Sequence, residues 1–241
     1  ITIAPPPPPF DDPNPRGNSR GCRGLLQVSD TLIAATYHTL LVFDKGLNQI
    51  GQITNDLCVG LHELCMDGDA IWAASTAIDA AVKMSLKGEI IDTVWPREIS
   101  SLQEAVGLSP LDIDKTVDNR TLWAFKYMTK SESHTHMNAV SVHDGHTFLL
   151  LNRYGIVYNA TTDSILIHEP RLQGCHNLEF FGDRILINDS RNKQIAIFDA
   201  DGKHQQNLRL LDFPEIARIS ENLEQTESDS LMSLFVRGMT P

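Results

Sequence analysis

The chain has 241 residues, a formal net charge of −11, and 41% hydrophobic against 21% charged residues, which predicts a soluble globular protein with a sizeable core. The acidic balance argues against nucleic acid or an anionic membrane surface as partner, because both reward clustered Lys and Arg. No run of about 18 apolar residues marks a membrane span.

Residues 1–18 are rich in proline and read as an extended arm rather than core. From Gly21 onward a repeat emerges, with units at 21–53, 59–94, 134–167 and 174–210. Each unit begins at a marked residue, followed by a short apolar strand and an Asp/Gly turn. A second strand, a polar turn and a third strand ending near V-F-D, V-K-M, V-Y-N or I-F-D come next, and a fourth strand closes the unit. Four short strands in about 40 residues is the pattern of a β-propeller blade. A β-sandwich also has many short strands, but it does not predict a repeat in phase with itself. The expectation is therefore an all-β propeller over residues 19–241, with five or six blades of four antiparallel strands.

The interval 97–130 interrupts the repeat and reads as an insertion with a helical start, long enough to act as a lid or to hide a degenerate blade. Within it, Asp112, Asp114, Asp118 and Asn119 resemble a loose calcium loop without its closing Glu, and ordinary turn chemistry explains them more simply. Residues 211–233 are acidic and partly helical in pattern. Arg237-Gly238 repeats Arg23-Gly24 and reads as the opening of a fifth blade, so that the chain stops short of a closed ring. Cys22, Cys58, Cys65 and Cys175 lack any C-x-x-C or zinc-ribbon spacing and read as reduced, mostly buried thiols of an intracellular, cytoplasmic protein. A chain that opens on Ile1 leaves an upstream segment and secretion open.

The marked residues are Arg23, His62, His136 and His176, at spacings of 39, 74 and 40. The first strand of a propeller blade lines the central channel, so equivalent residues converge at one mouth however far apart they lie in sequence. Three imidazoles meeting there suit a divalent metal, Zn, Fe or Cu, with an open position for water or substrate. His134, two residues before His136 and on the same face of a strand, is a spare metal ligand or a candidate acid/base, and Glu63 is a second candidate acid/base. Asn138 and Asn177 are placed to orient imidazoles or ligand. Arg23 and Arg237 add positive charge suited to a small anionic substrate. His38, His143, His146, His168 and His204 read as solvated residues of turns and outer strands. No nucleophile elbow, zincin helix, phosphate loop or dinucleotide fingerprint is present.

The combination His62-Glu63-Leu64, His136-Met137-Asn138 and Arg237-Gly238-Met239 resembles a family of bacterial propeller proteins of unknown function with HEL, HLN and RGL signatures. His176 departs from that family's neighbours, standing in Gly-Cys-His-Asn. The stretch 187–203, INDSRNKQIAIFDADGK, is similar to NHL-type repeats. The NHL resemblance implies a metal at the propeller axis, because related lyases and lactonases carry one. The functional expectation is a metal-dependent lyase or hydrolase, with redox chemistry if the ion is Fe or Cu. The alternatives are a non-catalytic scaffold for a protein partner and a small-molecule binder without chemistry. In the scaffold the ring residues would be structural, and in the small-molecule binder they would line the same pocket without a metal.

Overall fold

Each of the four repeats folds into its own four-stranded antiparallel sheet. The computed structural model describes residues 22–123, 134–172 and 174–226. The first blade is β1 (Gly24–Val28), β2 (Thr31–Ala35), β3 (Leu40–Phe43) and β4 (Gln49–Ile53). The second is β5 (Leu61–Asp67), β6 (Ala70–Ser75), β7 (Ala80–Ser85) and β8 (Ile90–Val94). The third is β9 (Met137–His143), β10 (His146–Leu151), β11 (Ile156–Asn159) and β12 (Ser164–His168). The fourth is β13 (His176–Phe181), β14 (Arg184–Asp189), β15 (Gln194–Asp199) and β16 (His204–Arg209). Within each blade every strand pairs with its neighbours in sequence, so the chain meanders outward and then returns to start the next inner strand. The described residues thus hold four blades rather than five or six. Arg237, the expected start of a fifth, lies outside them, as does the Pro-rich arm.

The middle strands explain why the repeats are so apolar. In β6, Ile71 and Ala73 pack into the core shared with the first blade, while Trp72 and Ala74 face the third. In β10, Leu149 and Leu151 face the second blade and Phe148 and Leu150 the fourth. Successive side chains leave opposite faces of a strand. A strand with a blade on each side therefore buries both sets and reads as a continuous run, Ala-Ile-Trp-Ala-Ala-Ser or Phe-Leu-Leu-Leu. The outer strand β16 is exposed throughout and is correspondingly polar.

Turn residues set the punctuation. Asp144-Gly145, both at positive φ (49° and 76°), makes the tight hairpin between β9 and β10. At the outer turns Asp44 accepts from Asn48 N at 2.9 Å, and Asp199 accepts from Lys203 N at 2.9 Å. The aspartates that close V-F-D and I-F-D are thus turn caps. Asp199-Ala200-Asp201-Gly202 is the turn between β15 and β16, as read from the sequence.

The interval after β8 holds a 3-10 turn at Pro96–Glu98 and two short helices, α1 (Ser100–Val106) and α2 (Asn119–Trp123), and its described residues form no further blade. Asp114 caps Thr116, and Asp118 pairs with Arg120 at 2.7 Å, which is turn chemistry rather than a calcium loop. Helix α3 (Pro214–Thr226) follows β16. No helix among the described residues is long and apolar enough to cross a membrane. Cys58 and Cys175 are buried as expected, whereas Cys22 is exposed.

Candidate functional site

The turns at one end of the blades stitch each blade to the next, and this stitching reveals the true register of the repeat. Leu61 N, opening the second blade, donates to Tyr37 O in the turn after β2 at 3.0 Å. Thr76 Oγ1, in the turn after β6, donates to Met137 O at 2.6 Å. Asn152 Nδ2, in the turn after β10, donates to Cys175 O at 2.6 Å. Leu61, Met137 and Cys175 are therefore equivalent, and the position after each is His62, Asn138 and His176. His62 and His176 each bond a hydroxyl 14 residues on, Thr76 at 2.5 Å and Ser190 at 3.0 Å.

His136 is consequently out of phase with the other two histidines, contrary to expectation. It aligns with Gly60 and Gly174, two residues before His62 and His176. All three take left-handed backbone, with φ of 63°, 51° and 83° at Gly60, His136 and Gly174. For a residue with a Cβ this conformation costs about 1–2 kcal/mol. His134 also departs from expectation. It precedes β9 rather than lying on a strand, and its Nδ1 accepts from His136 N at 3.0 Å while sitting 3.6 Å from Asp79 Oδ1. Asp79 in turn takes Thr135 N at 2.7 Å and Thr135 Oγ1 at 2.8 Å, so the 134–136 segment is clamped onto the second blade.

Despite the register error, the imidazoles do gather. The ring centres of His62 and His136 are 5.7 Å apart, and those of His62 and His176 are 6.4 Å apart. His134 and His136 are 5.8 Å apart. His62 has a defined tautomer. Thr76 donates its hydroxyl proton to Met137 O, so its oxygen accepts from Nδ1–H of His62 and leaves the Nε2 lone pair facing outward. Arg23 Nη1 donates to that Nε2 at 2.5 Å. Gly24 makes this approach feasible, since a Cβ there would stand 2.3 Å from His62 O.

Glu63 takes both of its hydrogen bonds from Asn177 Nδ2, at 2.6 and 2.5 Å. Desolvation pushes its carboxyl up to about 7 against the lowering effect of Asn177, with the Glu179 charge adding to the rise. Asn177 Oδ1 accepts from Asn188 Nδ2 at 2.8 Å. Asn188 and Thr76 are not among the residues expected at the site; their spacing behind Asn177 and His62 is the signal in the sequence that would find them. His38, expected in solvent, is instead buried with Nδ1 on Thr39 Oγ1 at 3.0 Å. His168 and His204 are exposed as expected, and His143 and His146 are half-buried.

The donor chemistry of the mouth suits a metal in part. The tautomer of His62 offers Nε2 as a ligand, but Arg23 sits on it. Two imidazoles sharing an ion at Zn–N of about 2.0–2.1 Å would have ring centres about 5 Å apart, closer than the spacings observed. Among the described residues, no three His, Cys, Asp or Glu side chains stand at metal-holding spacing.

No family model matches the chain, and no curated protein matches it in sequence. Solved structures do resemble it in shape. A catalytically inactive histidine-to-alanine variant of virginiamycin B lyase from Staphylococcus aureus, with quinupristin, superposes with a TM-score of 0.51 at 8% identity. The match covers 82% of this chain and 57% of the lyase, so the chain spans little more than half of that neighbour. Glutaminyl cyclase from Myxococcus xanthus gives a TM-score of 0.50 at 10% identity, covering 86% of this chain and 76% of the cyclase. Likeness at such identity is one of fold, and the fold is the β-propeller.

Proposed function

We propose that the mouth formed by Arg23, His62, His136 and His176 is the catalytic pocket of a propeller enzyme, a lyase or hydrolase acting on a small anionic substrate. The observation that carries this reading is the gathering of three imidazoles from three blades, one of them held there by strained backbone at a position where two other blades use glycine. Zn, Fe or Cu is the proposed cofactor, with His62, His136 and His176 as ligands. When bound, such an ion supplies Lewis acidity, or redox chemistry in the case of Fe or Cu. Arg23 would leave His62 Nε2 and pair its guanidinium with a carboxylate or phosphate of the substrate. The hydroxyl of Thr76 holds the His62 ring in the one tautomer that offers Nε2. His134 and Glu63 are the candidate proton carriers, and Arg237 a second anion clamp. The lyase and cyclase neighbours support the reading only as examples of catalysis on this architecture.

The contact between Arg23 and His62 favours a second reading, a metal-free pocket that binds a small anion between guanidinium and imidazole. Metal content of the purified full chain, compared with His136→Ala and Arg23→Ala, separates the two. The first reading expects near-stoichiometric metal that falls at least tenfold in His136→Ala and persists in Arg23→Ala. Absence of metal from wild type, together with anion binding lost in Arg23→Ala, would establish the second instead.

A further inference from the structure

The end of the blades opposite the imidazoles carries a separate cleft. The β9–β10 and β13–β14 hairpins flank a cavity of about 290 Å3 between the third and fourth blades. Its apolar wall is the rim of the core that joins those blades, formed by Phe148, Leu166, Phe180 and Ile185. Phe180 is only half-buried, yet its ring is held in place. The His143 ring lies nearly parallel to it, 4.5 Å away at 9°, and Phe148 meets it at 4.6 Å with a tilt of 41°. Asn159 sets the polarity of one side. Its Oδ1 accepts from Thr161 N at 3.0 Å and Thr162 N at 3.1 Å, which fixes the amide and turns Nδ2 to His146 Nδ1 at 2.9 Å. That nitrogen is therefore an acceptor, and the neutral imidazole of His146 carries its proton on Nε2. Among the described residues, nothing accepts from that N–H. The lining also carries both signs of charge. The side chains of Asp183 and Arg184 have no ion-pair or hydrogen-bond partner among the described residues, and Asp144 Oδ2 stands 3.5 Å from His143 Nε2.

Size, shape and polarity of this lining select one class of ligand. An apolar cavity of about 150 Å3 holds one benzene ring, so a cleft of about 290 Å3 has room for two fused rings. Aromatic walls reward a flat molecule that packs offset or edge-on against them. Walls of mixed sign give no advantage to a single charge. An unused N–H, a guanidinium and a carboxylate reward instead a ring edge with both acceptors and donors. We propose that the cleft binds an uncharged heteroaromatic molecule of purine size, its rings against Phe148 and Phe180 and its polar edge toward His146, Asp183 and Arg184. The cleft shares no residue with the histidine mouth and does not depend on it.

The test is adenine binding to the full chain, read by saturation-transfer NMR and titration calorimetry. Wild type binds adenine with a Kd of about 1 mM or tighter. Benzoate and benzylammonium, flat rings with one charge each, bind at least about tenfold more weakly. Ala200→Trp fills the cleft from an exposed turn position and abolishes adenine binding, and His136→Ala leaves it unchanged. If Ala200→Trp fails to fold, Phe180→Leu takes its place; it keeps an apolar side chain, removes the ring and weakens binding at least about threefold. Absence of adenine binding in wild type, or equal binding of the charged rings, would overturn the proposal. Binding that survives the cleft substitution in a folded variant, or that is lost in His136→Ala, would place the ligand elsewhere and overturn it as well.

Discussion

His136 carries the sharpest conflict between stability and site chemistry. Its backbone has the left-handed geometry that Gly60 and Gly174 supply elsewhere, and a glycine would adopt it without the Cβ penalty. His136→Gly is therefore expected to unfold at a temperature no lower than wild type while losing whatever the imidazole binds. A clear drop in the unfolding midpoint would show that this ring is held for packing. Glu63 gives a pH signature. Its folded-state pKa, raised to about 7 chiefly by desolvation, lies above the unfolded value near 4.3. The folded chain then holds the proton more tightly than the unfolded chain, so stability declines as pH climbs from about 4.5 through 7 and levels off above. Denaturant unfolding in chelator should show the difference between Glu63→Gln and wild type growing across that window; a pH-independent difference would contradict the shift.

At the scale of the element, the blades were legible because alternation, turn residues and doubly buried middle strands all leave marks in the sequence. The position of His136 was not, and the reason is local. The pattern Gly60-Leu61-His62 recurs as Gly174-Cys175-His176, but in the third blade it is written His136-Met137-Asn138. Matching histidine to histidine slipped that blade by two residues. The glycine requirement of a left-handed residue was the cue that would have set the frame. The burial of His38 and the Thr76 relay depend on contacts between turns and blades that one repeat does not reveal. Thr76 joins the second blade to the third through Met137 O while holding the His62 tautomer. Thr76→Val keeps the shape but strands both partners, an expected loss of about 1–3 kcal/mol. Chemical denaturation checks this; a loss below about 0.5 kcal/mol would show that the relay contributes little beyond packing.

For the whole molecule, radial stacking makes neighbours of residues more than a hundred positions apart, as with Glu63 and Asn177. Three cores lie between successive blades, and the mouth turns bond each blade to the backbone of the next. Such a scaffold fixes the inner-strand starts: Leu61, Met137 and Cys175 pack into the cores, while His62 and His176, one residue on, lie outside those apolar clusters. The imidazole gathering is the consequence on which the functional account rests. Its most direct test is anomalous diffraction from crystals of the full chain, scanned across the Fe, Cu and Zn edges. The account predicts a peak within bonding distance of Nε2 of His62, His136 and His176, with Arg23 withdrawn from His62. Crystals grown with added metal that show no peak there, and Arg23 still seated on His62, would contradict it.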